Sequence, residues 1–276
     1  MVHSPWSDKR CVATSSDSNY FPGLIALLRS LKKTNPGLPV VVFDGGLTPR
    51  QRKITAKFAE VIKREPFFRI KGRGKFSYIG DTTLLKFWAA KLDADMVLYL
   101  DADMVVLEDL SPLFSIPAGK VGAVMEKNTV RNMFRKQHRE ILSAMGDVDW
   151  DAQGFNAGLF VMRPSEWRDL PEKGETLFRS MDEEVFSKTK DQQLLNVLFA
   201  GHVEPLPLRY NYSPIYDASN GSLPAVIHFL YNPKPWHYSY PLDKYYRYYR
   251  SCVKISDHPA VLLLDIYRLA RRLGKF

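Results

Sequence analysis

Cysteine is scarce: Cys11 and Cys252 are the only two in 276 residues. That excludes a disulfide framework and any cysteine-rich zinc site. Cys11 begins an apolar run, which suits a buried thiol better than a reactive one. No apolar stretch approaches the roughly 20 residues needed to cross a bilayer. The opening "MVHSPWSDKR" is polar and lacks the apolar core of a secretory signal. A cytoplasmic protein is therefore expected, and the acceptor sequons at Asn211 and Asn220 carry little weight. Neither repeats nor disordered composition are apparent. A glycine-rich phosphate loop after the first apolar run is also missing. "SSDSNYFPG" stands there instead, which argues against a nucleotidyltransferase that makes nucleotide sugars.

What is present is 45% hydrophobic residues, enough for one sizeable core, and a net charge of +9. A basic excess implies an anionic partner, whether nucleic acid, a phosphorylated substrate or an acidic membrane. Part of it sits beyond Tyr245. Apolar runs at 11–16, 38–44, 96–101, 121–126, 157–163 and 224–230 read as strands. Residues 20–34, 48–60 and 81–92 read as helices, the second capped by Thr48 with Pro49 at its first position. Alternation of continuous apolar strands with amphipathic helices predicts an α/β fold with a mostly parallel sheet. In such sheets ligands lie beyond the carboxyl ends of the strands. Asp17, Asp44, Asp101 and Glu126 stand at those ends.

"LYLDADMVVLEDL" places Asp101 and Asp103 directly after a buried strand. In extended backbone, residues i and i+2 share a side, so the two carboxylates can converge. Two hard oxygen donors at one point suit Mg²⁺ or Mn²⁺. The alternative is a turn cap for Asp103 and an ion pair for Asp101, and the spacing alone does not choose between them. Asp93 and Asp95 have the same spacing at the wrong end of the strand. "DVDWDAQG" (147–154) lacks the glycine and distal glutamate of a calcium loop and is discounted.

Three further stretches follow in order: "FNAGLFVMRPSEW" (155–167), "KDQQLLNVLF" (190–199) and "IHFLYNPKPW" (227–236). With the Asp-x-Asp segment they resemble glycosyltransferase family 8, the retaining nucleotide-sugar enzymes with the GT-A fold. The likeness covers roughly residues 10–240. It implies a Rossmann-like mixed sheet flanked by helices, with residues 1–240 as the catalytic domain and 241–276 as a basic, tyrosine-rich helical tail. It implies a UDP-linked hexose as donor and a glycan, glycolipid or protein hydroxyl as acceptor, with no nucleic-acid partner.

Residue by residue, the resemblance implies Mn²⁺ or Mg²⁺ on Asp101, Asp103 and His228, with Lys234 on the diphosphate. Asp17, Asn19 and Tyr20 would form the nucleotide-base pocket, or Asp17 would simply cap the following helix. Lys86 would reach the donor sugar or its phosphates, or stand as a solvated helix lysine. Asn156 and Ala157 would lie near the donor sugar. Asp191 would bind a sugar hydroxyl, and Gln192 would sit on the far side of the anomeric centre. An amide is a poor nucleophile, so a front-face substitution fits better than double displacement. The family's glycine three residues after the histidine is Tyr231 here, so that side chain must point away or the loop must run differently. Specificity is expected in loops 72–80, 127–154 and 205–222. On the terminal segment 260–276, Asp265, Arg268, Arg272 and Lys275 fall on one helical face and Leu262, Ile266, Leu269 and Leu273 on another. Such a helix either lies on an anionic membrane or docks on the core. A glycoside hydrolase would need acids flanking a bond, not one residue apart. The basic residues match no nucleic-acid reading motif.

Overall fold

The apolar runs pair into one central sheet in a computed structural model. It describes residues 9–69, 81–180, 191–216, 223–241, 243–257 and 259–272. In chain order the elements are β1 (Arg10–Ser16), α1 (Phe21–Thr34), β2 (Val40–Asp44), α2 (Pro49–Thr55), β3 (Glu60–Lys63), a 3₁₀ helix Asp81–Lys91, β4 (Met96–Leu100) and β5 (Met104–Val106). Next come β6 (Val121–Thr129), α3 (Lys136–Met145), β7 (Gln153–Met162), α4 (Leu170–Arg179), α5 (Asp191–Leu198), β8 (Val203–Pro205), β9 (Val226–His228), α6 (Lys244–Cys252) and α7 (Ala260–Arg272).

The main sheet has the order β3-β2-β1-β4-β7-β6-β8. Strands β3, β2, β1 and β4 run parallel, while β7 is antiparallel to both β4 and β6. The strands read as unbroken apolar runs because both faces are covered. Cys11 and Ala13 of β1 and Val97 and Tyr99 of β4 enter one core. Val12, Leu98 and Leu100 enter the other, under α1. The alternation follows from side chains pointing to opposite faces of a strand.

Two expectations are corrected. The helix expected over 48–60 ends at Thr55, although Thr48 and Gln51 form the capping box its start requires. Residues Glu60–Lys63 pair with β2 as an edge strand. The 81–92 segment is 3₁₀ rather than α; its buried residues include Leu84, Leu85, Lys86 and Phe87 in succession, without the gaps of an amphipathic helix.

A second, two-stranded sheet joins β5 to β9 antiparallel, with Met104 opposite His228. The amide of Phe229 donates to the carbonyl of Asp103. This pairing brings the late histidine beside the Asp-x-Asp segment. In the tail, Tyr245, Tyr246 and Tyr249 of α6 are buried in the core that α1 fills. Helix α7 is turned opposite to a simple docked amphipath. Arg268 is buried, donates to the carbonyls of Pro235 and His237, and lies over the Tyr246 ring. Asp265 accepts from Arg250 and Tyr246. Leu262, Leu263 and Ile266 are exposed. The side chains of Leu269, Arg271, Arg272, Leu273 and Lys275 fall outside the described residues. Among the described residues, no helix is long and apolar enough to cross a membrane.

Candidate metal and donor-sugar site

Asp101 leaves β4 with its amide donating to the carbonyl of Gly158 on β7. The chain then turns at Ala102–Asp103 before β5 begins. The two acids therefore converge through a turn, not through the extended backbone expected from their spacing. One ligand atom from each of Asp101, Asp103 and His228 lies within 4.8 Å of the others. His228 Nε2 is 3.2 Å from Asp103 Oδ1 and 4.0 Å from Asp101 Oδ2. Room for the imidazole depends on Gly158, since a Cβ there would stand 2.3 Å from His228 Cε1.

Each acid also faces a buried lysine through its other oxygen. Lys234 donates to Asp103 Oδ2 at 2.6 Å and to the carbonyls of Phe229 and Leu230. Lys86, 1% exposed, lies 3.2 Å from Asp101 Oδ1, pairs with Asp191 and donates to the carbonyl of Ala157. The solvated-lysine alternative for Lys86 is thus overturned: it is a buried cation between two acids. Burial pushes the Asp101 carboxyl up to about 6, with the Asp103 charge adding and Lys86 opposing. Burial acts the same way on Asp103, but Lys234, joined by His228 whenever the imidazole is protonated, outweighs it and holds that carboxyl well below the usual range. Burial alone would drive the Lys86 ammonium down, yet Asp101 and Asp191 hold it above the usual lysine value.

Around this centre stand the other expected residues. Asn156 Nδ2 reaches Glu126 and Gln192, and Gln192 Nε2 reaches Glu126 Oε1 at 3.2 Å. Ala157 contributes its carbonyl to Lys86. Asp17 Oδ1 accepts from the amides of Asn19 and Tyr20, so it shapes the turn before α1 but does not cap the helix, whose N-cap is Tyr20 with no side-chain cap. The Tyr20 ring meets Trp236 edge-on and lies under Lys234. This carries the strand-end turn to the same corner as the metal cluster. Asp44, also at a strand end, instead binds the amides of Gly46 and Leu47 and the Arg52 side chain. Tyr231 is 53% exposed, in keeping with a side chain that points away. Asp149 and Asp151 of the discounted calcium loop are taken up by local turns and by Arg131. Lys190 and loops 72–80 and 217–222 lie outside the described residues. No local pattern signals Asn211, which enters only as a sequon, or Glu126 as a neighbour of Gln192. Both require long-range contact to be seen.

The donor set fits a hard divalent cation. The lysines take Asp101 Oδ1 and Asp103 Oδ2, leaving one oxygen of each acid toward His228 Nε2. Two carboxylate oxygens and one imidazole nitrogen suit Mn²⁺ or Mg²⁺.

A mixed sheet of this order, with an Asp-x-Asp turn at the edge of β4, defines the class of GT-A glycosyltransferases. More narrowly, the chain belongs to glycosyl transferase family 8, whose family model matches residues 11–239. It is similar to the probable glycosyl transferase Gly of Streptococcus gordonii, 29% identical over 57% of this chain and 22% of that protein. It is 32% identical to lipopolysaccharide 1,2-glucosyltransferase of Escherichia coli K12 over 59% of this chain and 51% of that one. The chain thus spans about a fifth and about half of these relatives' lengths. Its fold resembles that of the galactosyltransferase LgtC in complex with donor and acceptor sugar analogues. There the TM-score is 0.71 at 22% identity, covering 87% of this chain and 94% of that one.

Proposed function

We propose that this chain transfers a hexose, with retention, from a UDP-linked nucleotide sugar to a hydroxyl of a glycan, glycolipid or protein acceptor. Asp101, Asp103 and His228 would hold Mn²⁺ or Mg²⁺, which when bound offsets charge on the departing nucleoside diphosphate. Lys234 sits beside that charge and can turn from Asp103 to a phosphate oxygen as a point charge. Asp17, Asn19 and Tyr20 border the nucleoside end. Asn156, Ala157, Asp191 and Gln192 border the sugar, and Lys86 pairs with Asp191 and orients it. Gln192 is held by two hydrogen-bonding neighbours and offers no anionic nucleophile, which supports front-face substitution. One observation carries the reading: two acids and a histidine from distant parts of the chain meet within 4.8 Å, each acid with one oxygen toward the imidazole.

The test is a screen of nucleotide sugars for hydrolysis with Mn²⁺, repeated on Asp103→Asn. The expected result is cation-dependent turnover of a UDP-hexose, lowered about 100-fold or more by the substitution. Turnover that needs no cation, or that survives the change, would overturn the assignment. The exposed Leu262, Leu263 and Ile266 of α7, with exposed Arg247 and Lys254 nearby in sequence, favour a peripheral contact with an anionic membrane. This suits a glycolipid acceptor.

A further inference from the structure

Asn211 is buried, only 5% exposed, and so is no accessible glycan acceptor in this fold. It is the last residue of the turn Leu208–Asn211. The next residue, Tyr212, bridges to β9: its amide donates to the carbonyl of Val226 and its carbonyl accepts from the amide of His228. The Asn211 side chain is thereby held against the imidazole, with its Oδ1 2.8 Å from His228 Nδ1.

The direction of this contact can be deduced. The backbone amide of Gly158 can only donate, and it donates to Asn156 Oδ1 at 3.0 Å. That atom is therefore an oxygen. Asn211 Nδ2 donates to the same oxygen at 2.9 Å, which turns Asn211 Oδ1 toward the histidine. An amide oxygen only accepts, so His228 Nδ1 carries the hydrogen, and in neutral imidazole Nε2 is then bare. The far end agrees. Asn156 Nδ2 and Gln192 Nε2 both point at Glu126, an acceptor-only carboxylate. A backbone donor and a carboxylate thus impose the same polarity on the whole chain of amides.

We propose that Asn211 is a positioning residue for the metal ligand. It fixes the Nδ1–H tautomer of His228 and aims the bare Nε2 at the space shared with Asp101 and Asp103. A bare nitrogen facing two carboxylates lacks a proton to share with either, and a cation satisfies all three. The same asparagine, through Asn156, ties the orientation of the metal ligand to that of Gln192 at the sugar's side. The inference rests on the metal reading above. Groups that orient a ligating histidine typically contribute about 10–100-fold to metal affinity.

Two measurements test it. In metal-free protein with ¹⁵N-labelled histidine at alkaline pH, long-range ¹H–¹⁵N correlation should show His228 as the Nδ1–H tautomer. An Nε2–H tautomer would overturn the inference, and this requires no variant to fold. Titration of Mn²⁺ followed by electron paramagnetic resonance, with UDP present, should then show binding about 10–100-fold weaker in Asn211→Leu. Asn211→Asp, which keeps an acceptor for Nδ1–H but loses the donor to Asn156 Oδ1, should bind more tightly than Asn211→Leu, and equal weakening in the two would overturn the role of the Nδ1–H acceptor. Mn²⁺ binding by the unaltered chain that is equal in Asn211→Leu would overturn the role of Asn211 alone. No Mn²⁺ binding by the unaltered chain would overturn the metal reading and this inference together.

Discussion

At the carboxyl edge of the sheet, Lys86, Asp103, His228 and Lys234 are buried, whereas on α7 Leu263 and Ile266 are 69% and 55% exposed. Both regions depart from the usual rule of apolar inside and polar outside, in opposite directions. At the sheet edge, every buried charge has a partner: Lys86 has Asp101 and Asp191, and Lys234 has Asp103. That is the condition on which buried charge is tolerated. On α7 the buried Arg268 is met only in part, its Nη2 donating to two carbonyls and its guanidinium lying over a ring while Nε and Nη1 find no hydrogen-bond partner, and the leucines outside have no such requirement. The difference separates a site pre-ordered by mutual pairing from a surface whose outward apolar groups are available for contact.

The comparison breaks most sharply at Lys86. Lys86→Met removes the cation shared by two buried acids, and a loss of about 3–5 kcal/mol in denaturant unfolding is expected. A loss under about 1 kcal/mol would mean that those acids do not depend on it. Next is Gly158→Ala, whose methyl meets the His228 ring. Overpacking should cost about 1–3 kcal/mol, and Mn²⁺ affinity should fall as the imidazole moves. An unchanged melting temperature and affinity would show that the ring has room to spare.

The Asp101 carboxyl is pushed up to about 6, so its protonated form prevails below that pH, and a cation must displace the proton. Mn²⁺ affinity should therefore level off above about pH 6 and fall about tenfold per unit below it. Calorimetry across the range measures the slope, and Asp101→Asn should remove it along with most of the binding. The smallest effect on stability belongs to the other region. Leu263→Ser with Ile266→Ser should leave stability within about 0.5 kcal/mol, because these side chains are already exposed. Co-sedimentation with anionic vesicles should nonetheless drop, and unchanged vesicle binding would refute the membrane contact.

The strands, α1 and the acids were legible because their signals are local: continuous apolar runs, Thr48 with Pro49, and Asp101 directly after a buried strand. The four ordered motifs made the family legible too. Strands β3, β5 and β8 were hidden because three or four residues carry little periodic signal. The face α7 turns inward was also hidden, since a helical stripe shows that two faces differ but not which one the core takes. The sequence left Lys86 open between a contact to the donor and a solvated helix lysine, and its burial decides against the second. Asn211 carried no signal at all beyond a sequon.

By itself, the amino-acid sequence determined a doubly covered sheet and put two carboxylates at the end of its central strand, because hydrophobic periodicity and turn chemistry act over a few residues. Only the tertiary structure decided that His228, Lys234, Lys86 and Asn211 would meet those carboxylates. It did so through the β5–β9 register and the packing of the 3₁₀ segment. Contacts between residues so far apart along the chain arise from strand pairing and burial, which no short window of sequence contains.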